Sequence, residues 1–424
     1  MRVSKRWAVV AVTALAVAGC GGAAGESSEE GGGGSGGKLS SGPGFDGKTI
    51  KLGVLTPLSG PVAVVGNPLT AGNKVYFDYV NSKGGIAGKY KVELVQEDTQ
   101  YTPDGTVQKY NKIKNEVAAF TQILGTAPTL AALPQLKKDN ILAAPASLDA
   151  FWVREANLLP VGGPYQVQAI NALNYYVEQE GKDKKICSFV QDDAYGEAGQ
   201  AGVDFAEEQL GFQTAKTVKF KVGDKDVTGQ VQQLASAKCD AVFLTATPTD
   251  AGTIWGTAAK LGFAPRWIGQ SPVWVNALAA SPLKDYLAKT TWIAAEGTEW
   301  GDQEVPGMKQ MLERIEQFKP NQKPDYYFSF GYLQGQAMEA VLEQAVKRGD
   351  LSQAGIVKAV EEVGTVSFEG LSGDYEYGPA ESRNPPRSTT IFKVEPDKPN
   401  GLGTLEYQTE SEPAMQFEFE KADS

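Results

Sequence analysis

Histidine is missing altogether from the 424-residue chain. Its absence excludes every mechanism that needs an imidazole, including Ser-His-Asp and Cys-His nucleophiles and nearly all catalytic zinc sites. Neither Gly-x-Ser-x-Gly nor Gly-x-Gly-x-x-Gly occurs in the body after residue 47, so a hydrolase on a Rossmann-like scaffold has little support. Positive charge is also in short supply. The formal net charge is −11 and the pI near 4.9, which argues against nucleic acid and anionic headgroups as partners. Beyond the N-terminus no stretch approaches the roughly 18 consecutive apolar residues of a membrane span. No cofactor and no metal site is expected.

What is present begins with an address. Arg2, Lys5 and Arg6 precede a short apolar stretch, Trp7 to Ala18, so a cleaved signal peptide over residues 1–19 is expected rather than a membrane helix. Val17-Ala18-Gly19-Cys20 resembles a bacterial lipobox, and that resemblance implies a lipid on Cys20 as the first mature residue. A plain signal peptide with an incidental cysteine is the other reading. Loss of Arg2, Lys5 and Arg6 lowers the 40 basic residues to 37 against 51 acidic ones, a net −14 that suits a body held off an anionic membrane. Residues 21–44 are Gly, Ser and Glu with almost nothing to bury, a flexible tether within a linker over residues 20–47. Its r.m.s. reach is roughly 25–30 Å. The body is thus expected outside the cytoplasm, anchored to the outer face of the cell membrane through the lipid alone.

A chain of 424 residues, 42% of them hydrophobic, holds more than one core. From residue 48 strands alternate with helices. Lys48–Leu55, Lys91–Glu97, Ala119–Leu124 and Ile141–Ala144 read as strands around the helices Leu69–Lys83, Thr106–Val117 and Leu130–Asp139. The pattern restarts with strands Lys185–Val190, Ala215–Phe220, Ala241–Thr245 and Arg266–Gly269, and helices Gly199–Leu210, Val227–Ala237 and Ala251–Leu261. Apolar strands alternating with helices mean parallel sheets covered on both faces, so the fold class is α/β with two doubly wound lobes. Trp292–Ala295 reads as an extended segment crossing between lobes. Helical stretches Val305–Phe318, Tyr326–Lys347 and Leu351–Val363 come next, then strands such as Thr389–Val394.

Five segments, in order, carry a resemblance. Lys51-Leu52-Gly53-Val54-Leu55-Thr56-Pro57-Leu58-Ser59-Gly60-Pro61 opens the first lobe, and Asn81-Ser82-Lys83-Gly84-Gly85-Ile86-Ala87-Gly88 follows its first helix. Gly125-Thr126-Ala127-Pro128-Thr129 and Asp192-Asp193-Ala194-Tyr195-Gly196 each follow a strand, and Phe368-Glu369-Gly370-Leu371-Ser372-Gly373 begins the closing strands. Together they resemble the leucine/isoleucine/valine-binding family of periplasmic ligand-binding proteins, which serve ABC transporters. The resemblance implies two lobes joined by a three-segment hinge, with the ligand cleft between them. Lobe one then takes residues 48–163 and 294–367, and lobe two 164–293 and 368–424. It implies a receptor, not an enzyme, that captures a small polar metabolite (an amino acid or related carboxylate or amide) by lobe closure. The partners implied are that ligand and ABC permease subunits. A ligand-sensing co-receptor for a membrane sensor kinase or chemoreceptor would look the same in sequence.

In open α/β sheets ligands sit beyond the carboxyl ends of strands, so the loops directly after each strand are the candidates. Gly125, Thr126 and Ala127 precede a helix expected to start at Pro128, whose free N–H groups suit an anion. The resemblance gives Thr126 to the ligand carboxylate, and the Ala146 carbonyl and Ser147 hydroxyl to its ammonium and carboxylate. It makes Tyr195 the residue that closes over the ligand. Asp192 and Asp193 read as helix-capping or solvated carboxylates rather than a catalytic pair. Family amino-acid binders carry an acid after the fourth strand of lobe two, where this chain has Gly269-Gln270-Ser271-Pro272-Val273-Trp274. An unpaired buried ammonium would cost several kcal/mol. Gln270, Ser271 and Trp274 therefore point to a neutral polar or aromatic ligand, unless Asp193 or Glu296 supplies the charge. Trp274 and Trp152 read equally well as core or hinge packing.

Cys187 and Cys239 stand at the starts of strands that neighbour each other in a 2-1-3-4-5 sheet, in an oxidising setting. A disulfide and two buried thiols both fit this placement, and either way the role is structural.

Overall fold

A computed structural model describes residues 39–420; the leader, Cys20 and the tether as far as residue 38 lie outside them. Leu39 and Phe45 pack against the first lobe's core, Ser40–Ser41 pair with Asp350–Leu351, and the Phe45 ring meets Tyr90 edge-on at 5.1 Å. Residues 39–47, expected to be tether, therefore belong to the folded body. Two apolar anchors in an otherwise polar stretch dock them.

The first sheet has four parallel strands, β1 (Thr49–Thr56), β2 (Lys91–Asp98), β3 (Ala119–Leu124) and β4 (Ala143–Ala146), in the order β2-β1-β3-β4. Helices α1 (Ala63–Ser82), α2 (Pro103–Ile113) and α3 (Thr126–Asp139) connect them. β3 and β4 are buried at every residue, which is why they are continuous apolar runs without alternation.

The second sheet has seven strands. β5 (Ile186–Gln191), β6 (Thr214–Phe220), β7 (Ala241–Thr245), β8 (Arg266–Gln270) and β9 (Thr291–Ala295) are parallel; β10 (Thr389–Val394) and β11 (Leu402–Thr409) extend it antiparallel. The order is β11-β10-β9-β8-β7-β5-β6. Helices α4 (Tyr165–Glu180), α5 (Ala194–Leu210), α6 (Thr228–Ala237), α7 (Pro248–Lys260) and α8 (Lys284–Thr290) accompany it. β9 corrects the reading of Trp292–Ala295 as a crossing segment. Paired with β8 on one side and β10 on the other, it is an interior strand, and the lobe boundary set after residue 293 moves past Ala295. Cys187 in β5 and Cys239, just ahead of β7, form a disulfide with Cα atoms 5.9 Å apart.

The chain then returns to the first lobe through α9 (Pro306–Phe318), α10 (Tyr326–Arg348) and α11 (Gln353–Ala359). α10 crosses α1 at backbone contact. A Cβ on Gly72 would stand 2.0 Å from the Phe328 carbonyl oxygen, and one on Gly331 would stand 1.8 Å from that of Leu69. Phe368, Leu371, Tyr375 and Tyr377 join the first lobe's core, so residues 368–377, assigned to lobe two, belong to lobe one. Their apolar side chains fill the core nearest to them before the chain leaves. Three segments (residues 147–164, 296–305 and 378–388) link the lobes. None of the described helices is long and apolar enough to cross a membrane.

A polar network ties the first lobe together. Asn73 of α1 donates to the Gln122 and Gln334 side-chain oxygens at 3.3 Å each and accepts from the Thr121 hydroxyl at 2.8 Å. Gln122 donates to Thr56 at 2.8 Å and Thr70 at 3.1 Å, and Gln334 donates to the Pro145 carbonyl at 3.1 Å. All six side chains are buried, so the network fixes β1, β3, β4, α1 and α10 as one block.

Candidate ligand-binding site

The carboxyl ends of both sheets face a cleft between the lobes. Gly125, Thr126, Ala146, Ser147, Tyr195 and Ser271 line it, as strand-end loops should; Ala127, Gln270 and Trp274 do not.

At the first-lobe end, Gly125 adopts φ +106°, a conformation that turns β3 directly into α3. The helix thus starts at Thr126 and not at Pro128, two residues earlier than the N1 preference of proline suggests. The N–H groups of Thr126 and Ala127 have no acceptor within the helix, and the dipole adds a partial positive charge there. The Thr126 hydroxyl is buried and unpartnered. Ser147 accepts the Trp152 indole N–H at 3.1 Å, which aims its hydroxyl and leaves the proton free to donate. The Ala146 carbonyl accepts the Gly125 N–H at 3.2 Å and keeps one lone pair. No lysine or arginine lines the cleft. The groups here that could hold an anion are hydroxyls and helix N–H groups.

The second lobe contributes differently. Asp193 caps α5, accepting from the Tyr195 and Gly196 N–H groups at 3.0 and 3.2 Å, while Asp192 pairs with Lys219. Asp193 therefore positions Tyr195 without entering the cleft. The Tyr195 ring lies 5.0 Å from that of Tyr165, and its hydroxyl has no partner. Gln270 ends β8 with its side chain turned toward α5, so close that a Cβ on Gly199 would stand 2.9 Å from its Oε1. A single 3-10 turn, Ser271–Val273, then puts Ser271 on the cleft and Trp274 in the core, where its indole donates to the Asn400 carbonyl at 3.0 Å. The proposed roles of Gln270 and Trp274 at the ligand are corrected accordingly.

Glu296, the first residue after β9, is the carboxylate of the cleft. Its Oε2 accepts from Gln168 of α4 at 2.8 Å, and its Oε1 is unpartnered. Gln168 also donates to the Gly163 carbonyl at 3.0 Å and accepts the Ser271 N–H at 3.4 Å, so one buried amide sets both Glu296 and Ser271. Burial raises the Glu296 pKa to about 7. Burial, reinforced by that carboxyl alongside, likewise pushes the Tyr326 hydroxyl upward.

Comparison with known proteins decides the family. A family model described as periplasmic binding protein matches residues 49–399. The chain belongs to the periplasmic binding protein family. The Leu/Ile/Val-binding protein of Citrobacter freundii is 25% identical over 78% of this chain and 90% of its own length. The Leu/Ile/Val-binding protein BraC3 of Rhizobium johnstonii is 28% identical over 46% of this chain, and the match spans 53% of that relative. Among solved structures, the fatty acid ABC transporter substrate-binding protein of Thermomonospora curvata superposes with a TM-score of 0.83 at 27% identity, covering 90% of this chain and 98% of that one. A branched chain amino acid ABC transporter from Thermus thermophilus with bound valine shares the fold at TM-score 0.73 and 17% identity, covering 88% and 99%.

In this periplasmic binding protein the cleft also carries residues that the sequence reading passed over. Tyr101, Tyr165, Tyr326 and Tyr327 line it, with Val62, Val65, Leu69 and Phe330. Tyr101 stands in the loop after β2, a strand-end position whose signal was available. Tyr326 and Tyr327 open α10 and read as core; their cleft role comes only from where α10 docks. The Tyr327 hydroxyl donates to the Pro272 carbonyl at 2.7 Å and Thr249 to that of Pro61 at 3.0 Å, each bond joining one lobe to the other.

Proposed function

We propose that this chain is an exported, lipid-anchored solute-binding protein that takes a small carboxylate, an amino acid or a related compound, between its lobes and hands it to the membrane subunits of an ABC importer. One observation carries the reading. Five buried polar atoms (Thr126 Oγ1, Tyr195 Oη, Ser271 Oγ, Glu296 Oε1 and Tyr326 Oη) border one cleft without hydrogen-bond partners, where native interiors leave few such groups unpaired. Together with the α3 N–H groups they form a ready set of partners for a polar head, and the tyrosine and aliphatic walls suit an apolar body. Binding rather than turnover is the role, because the chain has no histidine and the cleft has one carboxyl with no second acid or nucleophile–base pair beside it. The relatives named for leucine, isoleucine and valine and the neighbour named for fatty acids share a carboxylate joined to an apolar body.

The test combines Thr126→Ala with Tyr195→Ala. A thermal-shift screen of amino acids and monocarboxylates first supplies a ligand, which at 100 times its Kd adds about 2.7 kcal/mol of stability. Calorimetry should then show at least a hundredfold weaker binding by the double variant, with unchanged circular dichroism. Affinity within threefold of wild type refutes the site.

A further inference from the structure

Several carboxyls are buried around the cleft, and one of them enters it. Asp149, Asp193, Asp250 and Asp325 accept from the backbone N–H groups of Phe151, Tyr195, Gly223 and Phe328, and none of the four lines the cleft. Glu296 does. It is only 6% exposed, Gln168 fixes its Oε2, and its Oε1 is left without a partner. Ala294 of β9 pairs with Gln270 of β8, so Glu296 leaves the sheet one strand over from the acid-free loop Gln270-Ser271-Pro272.

The cleft therefore has two unlike ends. At α3 the free groups are donors, the Thr126 hydroxyl and the first helix N–H groups. At Glu296 they are acceptors, with the Tyr326 hydroxyl alongside and Ser271 near it, both unpartnered. No lysine or arginine of the cleft neutralises the carboxylate. Gln168 and Tyr165 face Glu296 from α4, Tyr326 and Tyr327 from α10, and Leu148 and Gly162 lie beside it on the first linking segment. Burial pushes all three tyrosine hydroxyls upward, so they stay protonated, and Asp149 and Asp325 adjoin Tyr165 and Tyr327. Glu296, raised by burial to about 7, is the cleft group that titrates near neutrality.

Resting on the binding role proposed above, we infer that the ligand is a zwitterion with its carboxylate at Thr126 and its ammonium on Glu296, and that capture drives a proton from Glu296 into solvent. The carboxyl gives up its proton, and an ammonium N–H takes its place at Oε1. A carboxylate without an amine would bury a second negative charge in the same cleft and would have to enter with a proton on Glu296. Glu296 is thus the residue that selects amino acids from the wider class of carboxylates.

Calorimetry of the full chain tests it with L-alanine, L-valine and L-leucine, each beside the acid of the same skeleton without the amine (propanoate, 3-methylbutanoate and 4-methylpentanoate). The empty Glu296 is protonated below its raised pKa and only the ionised form receives an ammonium, so amino-acid affinity should rise with pH. The rise should be about tenfold per pH unit below about pH 6 and level off above about pH 8, with about half a proton released per ligand at pH 7. The acids without an amine should bind about tenfold more weakly or worse, and weaken further as pH rises. Glu296→Gln keeps the shape and the Gln168 contact. It should cost the amino acids about a hundredfold, abolish the pH dependence and leave the other acids within about threefold. If the acids without an amine bind as tightly as the amino acids, the inference is wrong and the cleft reading stands. Amino-acid affinity that does not change with pH in the wild-type chain overturns it as well, with no variant needed. If neither kind of carboxylate binds, both readings fall.

Discussion

The polar layers behind the two cleft walls differ. Under the first-lobe wall, Asn73, Gln122, Gln334, Thr121, Thr70 and Thr56 satisfy one another across two helices and the sheet. Under the second-lobe wall, Gln270 has neither amide atom bonded, and the Thr245 hydroxyl and Gln191 Oε1 are unpartnered too. A satisfied network fixes geometry before a ligand arrives; unsatisfied groups leave a wall that gains order afterwards. The layer behind the first-lobe wall is thus set in advance, while the one behind the second-lobe wall keeps polar atoms to be satisfied. The second lobe has in addition a covalent brace, the Cys187–Cys239 bridge.

That contrast can be broken by removing each lobe's own brace. The largest effect belongs to Cys187→Ala with Cys239→Ala. The bridge closes a loop with a sequence separation of 52, and its loss should cost about 4 kcal/mol in urea unfolding. A loss under about 1 kcal/mol would mean that the second lobe is braced elsewhere. Next comes Asn73→Leu, which strips the Gln334 oxygen and the Thr121 hydroxyl of their partners. A cost of about 3 kcal/mol is expected by the same measurement. The smallest effect sharpens the comparison. Thr245→Val replaces an already unpartnered hydroxyl with a methyl group, so stability should stay within about 1 kcal/mol of wild type or rise. A fall of about 3 kcal/mol there would make the two polar layers equivalent.

Much of this was legible from residue order. Strand-helix alternation located most elements but passed over α4 and α8, and the strand-end rule named Thr126, Ser147, Tyr195 and Ser271, which line the cleft. Its failures share a cause. Gln270 and Trp274 occupy the right loop but face away, since a strand's last side chain alternates with its neighbour and a 3-10 turn rotates the residues beyond it. Rules that find a loop do not say which side chain leaves it toward the ligand. The Glu296 position could be named as a possible charge, yet Gln168, which orients it, comes from a distant helix and has no sequence signal. Phe368 to Tyr377 were misassigned because apolar residues announce burial without saying in which core.

The close crossing of α1 and α10 has a consequence for how the molecule comes into being. A chain made from its N-terminus completes α1 at Ser82 and must wait for Tyr326–Arg348 before Gly72 and Leu69 meet their partner backbone. All five parallel strands of the other lobe, and the cysteine bridge within it, are synthesised during that wait. The parallel part of the second lobe can therefore form while α1 still waits, and β10 and β11 join that sheet only after α10 has reached the first lobe. An apolar helix face left waiting that long is what a holding chaperone would grip. A chain cut between α9 and α10 should accordingly keep the parallel part of the second lobe while its first lobe stays unfinished.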